Sequence, residues 1–74
     1  MKNYFSISDC DSHDTIIDLV TDWNDPTAQA ILETCERNGN SNYYVTEWEP
    51  ATEDYAEEPV QTINLDEFRS IRII

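Results

Sequence analysis

The sequence predicts an α+β fold: a small antiparallel sheet of three to four strands packed against one main helix, Pro26 to Asn38. Three observations carry this. The segment Tyr4 to Ser8 alternates apolar and polar residues at the period of a half-buried strand. The segment from Asp25 to Gly39 has helix punctuation at both ends. Tyr43 to Trp48 is rich in residues that favour pleated structure.

In YFSIS, Phe5 and Ile7 face one side and their polar neighbours the other. DCDSHD follows as a turn, in which Asp11, Ser12 or Asp14 offers a side-chain oxygen to cap a following helix. Thr15 to Trp23 fits two periods. Ile16, Leu19, Val20 and Trp23 fall at helical spacing, whereas the β-branched TIIDLV also suits a buried strand. The segment is read as a short helix, with the strand as the alternative.

The next helix is read from Asn24 or Asp25 as cap, with Pro26 where a missing N–H costs nothing. Ala28, Ile31, Leu32 and Cys35 form an apolar stripe expected to pack on the sheet. Arg37 meets the carbonyl end of the dipole, and Gly39, the only glycine, is a left-handed stop. After a turn at Asn40 to Asn42, Tyr43 to Trp48 is a strand with Tyr43, Val45 and Glu47 on one face and Tyr44, Thr46 and Trp48 on the other. Glu49 to Pro59 is expected to be a loop bounded by two prolines, and Val60 to Ile63 a second strand. Asn64 caps a short helical turn, LDEF, with Glu67 spaced for a reciprocal contact. Arg69 to Ile74 is read as a last strand whose open edge invites pairing, within the chain or across a homodimer.

The 74 residues allow one domain with a small core and marginal stability. The dominant feature is charge. Sixteen acids face four Lys and Arg residues, giving −12. No Lys or Arg occurs from Asn3 to Glu36 or from Asn38 to Phe68. Such a chain repels nucleic acid and anionic membranes and attracts basic surfaces. No basic-then-apolar leader or twenty-residue apolar run is seen, so a cytoplasmic protein with Cys10 and Cys35 reduced is expected.

Two groups of acids stand out. Asp14, Asp18 and Asp22 are four residues apart, and on a helix they would share a face with steps of about 6 Å. Tyr43 to Pro59 interleaves Glu47, Glu49, Glu53, Asp54, Glu57 and Glu58 with Trp48 and Tyr55. Like charges at such spacing destabilise by roughly 0.2–0.5 kcal/mol per pair in a helix, so their presence calls for a reason. Carboxylates in this array imitate the phosphates of a nucleic-acid backbone. Trp23 and Trp48 suit a core, and Tyr44 and Tyr55 an exposed contact.

Other chemistry is poorly served. DCDSHD lacks the glycine and distant glutamate of a calcium loop, and Cys10, His13 and Cys35 do not make a zinc set. His13 has no nucleophile pattern around it, and no cofactor or enzymatic activity is expected.

TEWEP at Thr46 to Pro50, with Asp22 and Trp23 before the Pro26–Asn38 helix, resembles the acidic-aromatic segment of ArdA-type antirestriction proteins. The likeness runs loosely from Leu19 through Tyr55, without the family's Gly-rich N-terminal pattern or multi-domain length. It implies a compact acidic anti-defence protein of phage or plasmid type, directed at a restriction enzyme or a CRISPR complex, with Glu47 and Glu49 singled out. The expectation is thus a non-enzymatic inhibitor that occupies the groove of a basic nucleic-acid-binding protein. The alternative is an interaction module, an antitoxin or regulator, that binds through the helix stripe and the terminal RSIRII, Arg69 to Ile74. A calcium-responsive acidic protein is a third and weaker reading.

Overall fold

A computed structural model describes residues 2–72, the side chain of Arg72 excepted. Four strands, β1 (Tyr4–Asp9), β2 (Thr15–Val20), β3 (Tyr43–Glu49) and β4 (Glu58–Asn64), form one antiparallel sheet in the order β2-β1-β3-β4. Two helices, α1 (Pro26–Asn38) and α2 (Leu65–Arg72), pack on the same face of it. The α+β expectation holds, with four strands and α1 as the main helix.

The core is built where the two-residue period of the strands meets the 3.6-residue period of the helices. Ile7 pairs with Ile17 on one side and Val45 on the other, and Val45 pairs with Ile63. Onto this row Leu32 and Cys35 come from α1, and Leu65 and Phe68 from α2. Ile7, Cys35 and Leu65 have no solvent exposure. Burial accordingly holds the Cys35 thiol above its ordinary pKa, although the nearby Arg69 guanidinium acts in the opposite sense. Both cysteines are free thiols. A second cluster closes one end: Phe5, Trp23 and Phe68 meet in tilted ring contacts with centroids 5.4–5.7 Å apart.

Helix α1 begins and ends where its sequence punctuation lies. Asp25 Oδ1 accepts the N–H groups of Thr27 and Ala28, at 2.8 and 3.3 Å. Gly39 follows at φ 101°, where a side chain is strained, and a Cβ there would lie 2.9 Å from Asn42 Nδ2. Asn42 Nδ2 donates to the Asn38 carbonyl, so the amide cannot retreat without losing that bond. Gly39→Ala is therefore expected to cost about 1–3 kcal/mol, read as a lower urea midpoint at unchanged slope.

Four sequence expectations are corrected. Thr15 to Trp23 is not a helix: Thr15–Val20 is strand β2, hydrogen-bonded to β1. Its β-branched Thr15, Ile16, Ile17 and Val20 prefer extended backbone, and pairing with β1 supplies bonds that a short helix would make alone. Two bulges let the strand follow β1, and the second places Leu19 at φ 58°. The preceding DCDSHD turn caps no helix. It closes on itself, with Asp9 Oδ1 accepting from Asp11 and Ser12 and Ser12 Oγ accepting from Asp14.

At the other terminus Arg69 to Arg72 belongs to α2 rather than to a last strand, and Ile73 and Ile74 lie outside the described residues. Leu65 and Phe68, three apart, bury one helical face. Asn64 Oδ1 accepts the Asp66 N–H at 3.0 Å, so the expected cap nucleates a longer helix than LDEF. The predicted loop is also shorter, because Glu49 ends β3 and Glu58 and Pro59 begin β4.

Candidate functional site

The antiparallel order decides which acids meet. The start of β1, the ends of β2 and β3 and the start of β4 share one end of the sheet, as the pairs Phe5–Val20, Tyr4–Trp48 and Glu49–Glu58 show. Asp22, the β3–β4 loop and the N-terminus of α1 adjoin that end. All of the sequence-predicted binding residues except Asp14 gather there or, for Asp18, beside it. Asp14 sits at the opposite end, where its carbonyl accepts the Asp9 N–H. The expected single helical face carrying Asp14, Asp18 and Asp22 does not exist, because their segment is a bulged strand and its flanks. Asp18 and Asp22 still approach one another: with Asp25 they line a cavity of about 220 Å³ between the β2 bulge and the first turn of α1.

The β3–β4 connection presents the densest charge. Glu49 and Glu58 are direct cross-strand partners. Beyond them the chain makes a tight turn in which the Thr52 N–H donates to the Tyr55 carbonyl and the Tyr55 N–H to Thr52 Oγ1. This turn holds Glu53 and Asp54 at its tip, exposed to solvent. Tyr55 is 72% exposed and, with Glu49 and Glu58, borders a cavity of about 230 Å³. Among the described side chains the ion pair is Arg69–Glu36, at 3.8 Å, in the helical layer. Lys2 precedes β1 at the acidic end and is exposed.

Like charges placed directly opposite on two strands oppose pairing. Glu49→Gln or Glu58→Gln is therefore expected to raise stability by about 0.2–1 kcal/mol, a gain that shrinks as salt is added. Thermal melts at low and high ionic strength check it.

Glu47 has a different role from its acidic neighbours. It is half-buried, and its two oxygens accept from Asn3 Nδ2 at 2.9 Å and Gln61 Nε2 at 2.8 Å. It ties β1, β3 and β4 together beside the core and is structural in its geometry.

The sequence alone did not single out Tyr4. On the face of the sheet opposite the helices, its ring lies nearly parallel to that of Trp48, with centroids 6.3 Å apart and planes at 12°. Burial raises the Tyr4 phenol pKa, and the charges of Glu57 and Asp18 raise it further. Those two acids come from segments almost forty positions apart, and the field of each reaches the same phenol. The signal was present in the alternation of YFSIS, which puts Tyr4 on the same face as Ser6, but its neighbour is fixed only by β1–β3 register.

Trp23 packs against the core as expected, whereas Trp48 is half-buried on the open face. Tyr44 is half-buried and its ring lies 6.2 Å from that of His13. Among the described residues no three His, Cys, Asp or Glu side chains converge as a metal site, and no helix is long and apolar enough to cross a membrane. No family model, curated protein or solved structure matches this chain.

Proposed function

We propose that the protein is a non-enzymatic acidic inhibitor that occupies the basic nucleic-acid-binding groove of a host defence complex, a restriction enzyme or CRISPR effector, in place of DNA or RNA. The observation that carries this reading is the gathering of Asp18, Asp22, Glu49, Glu53, Asp54, Glu57 and Glu58 towards one end of a small rigid sheet. Sequence segments far apart contribute to it, and the fold bears the repulsion of Glu49 against Glu58 without an ion pair between described side chains there. Local hydrogen bonds fix the turn backbone that carries Glu53 and Asp54, and the Asp18 and Asp22 carboxylates accept the Leu19 and Asn24 N–H groups. A fixed array is what a backbone imitation needs, because ordering flexible acids on binding would cost affinity.

The alternative apolar module loses one of its surfaces. Ala28, Leu32 and Cys35 of the α1 stripe are buried in the fold, so such a module would rely on Leu19, Val60 and Ile71. The acidic reading is tested by binding to purified restriction and CRISPR complexes across a salt series, with duplex DNA as competitor. Affinity is expected to fall steeply with salt and DNA to compete. Salt-independent binding, or binding unaffected by DNA, overturns it.

A further inference from the structure

The helices cover one face of the sheet and leave the other bare. The bare face carries Tyr4, Ser6 and Ser8 from β1 beside Trp48, Thr46 and Tyr44 from β3. Ser6, Ser8 and Thr46 are 4–6% exposed although no helix lies over them, so the larger side chains of that face roof them. Trp48 is held in its place: its Nε1–H donates to Ser6 Oγ at 2.9 Å, and its ring runs nearly parallel to Tyr4. Burying a hydroxyl to orient an indole on an open face gives a fixed aromatic surface.

Its surroundings are acidic on both sides. Asp18 stands in the β2 bulge opposite Ser6, between Ile17 and Val20. Glu57 immediately precedes β4, whose Pro59 is the partner of Trp48. The upward pull of both carboxylates on the Tyr4 phenol agrees with this placement.

We infer that this face seats an arginine of the basic partner, its guanidinium lying on the Trp48–Tyr4 surface with Asp18 and Glu57 at its edges. The inference rests on the proposed reading in that the partner is basic. Arginine fits better than lysine because its plane stacks on an aromatic ring while its N–H groups fork towards carboxylates. Aromatic rings on an open sheet also stack nucleobases, but those platforms lie in positive grooves that attract the phosphates, and this chain carries −12. A second copy of the chain would bring its own Asp18 and Glu57 against these.

The test uses hexa-arginine and hexa-lysine peptides, with oligo-dT as a third arm, followed by amide and indole resonances at low salt. Hexa-arginine is expected to move the Trp48 indole resonance and to bind about fivefold or more tighter than hexa-lysine. The double substitution D18N/E57Q, at two exposed acids, is expected to remove that preference with the melting curve of a folded protein retained. Trp48→Phe is expected to reduce it. Equal affinities with shifts confined to residues 49–58 overturn the arginine seat and leave the acidic-inhibitor reading standing. Binding of neither peptide overturns both. A Trp48 shift caused by oligo-dT, or by raising the concentration of the free protein, assigns the face to nucleic acid or to self-association and overturns the seat.

Discussion

Replacing Phe68 with alanine is expected to lower stability by about 3–5 kcal/mol. Phe68 is 2% exposed and joins two parts of the interior. It belongs to the cluster with Leu32, Cys35, Leu65 and Val45, and it meets Phe5 and Trp23 at 5.5 and 5.4 Å between centroids. Deleting the ring removes its transfer free energy and leaves a cavity that the sheet on one side and α1 on the other cannot close. A chain of this length holds roughly 4–11 kcal/mol in total, so the variant is expected to be unfolded, or nearly so, at 37 °C. Urea denaturation followed by tryptophan fluorescence measures the loss. Ile71→Ala, three residues further along α2 at 61% exposure, is the control and is expected to change stability by less than about 0.5 kcal/mol. Equal effects at the two positions would mean that α2 packs on a different face.

Helix α1 was legible because its determinants are local: Asp25 and Pro26 start it, Gly39 stops it, and four apolar residues make its stripe. Strand β2 was not, since Ile16, Leu19, Val20 and Trp23 satisfy a helical period as well as TIIDLV satisfies a strand. The choice is made by β1, which offers Phe5, Ile7 and Ser8 as partners, and by two bulges that no periodicity encodes. The C-terminus misled for a related reason. Isoleucines in the terminal RSIRII favour strands, but Leu65 and Phe68 upstream commit the backbone to a helix that runs through Ile71 to Arg72.

The site divides in the same way. The acids of the β3–β4 loop were readable because contiguity in sequence is proximity in a hairpin. Asp14 was misplaced, since its grouping with Asp18 and Asp22 depended on a helix that does not form. Glu47 was counted among the partner-binding acids because a two-residue period gives its face but not its neighbours, and Asn3, just before β1, and Gln61 of β4 are distant in sequence. Tyr4 needed register. A pair of rings formed by residues 44 positions apart leaves no mark in either local segment.

Converting Asp18, Glu49, Glu53, Asp54, Glu57 and Glu58 together to Asn and Gln is expected to move stability and binding in opposite directions. Glu47 is left in place because its two hydrogen bonds tie three strands. The six chosen residues hold no ion pair among the described side chains, so their neutralisation relieves repulsion and breaks no bridge. The gain is about 1 kcal/mol from the cross-strand Glu49–Glu58 contact and its neighbours, which in a domain of this size raises Tm by roughly 4–8 °C. Affinity for a basic nucleic-acid-binding complex is expected to fall by at least about a hundredfold, and the dependence of its logarithm on the logarithm of salt to flatten. Both changes have one physical source. The field that the array projects onto a cationic groove is the same field that its carboxylates exert on each other, and a cationic partner or added salt relieves it. A variant that melts higher yet binds with undiminished affinity would separate the two and leave the acids as solubility alone. A variant that melts lower would mean that these carboxylates are held by contacts which stabilise the fold, and that repulsion among them is not what limits its stability.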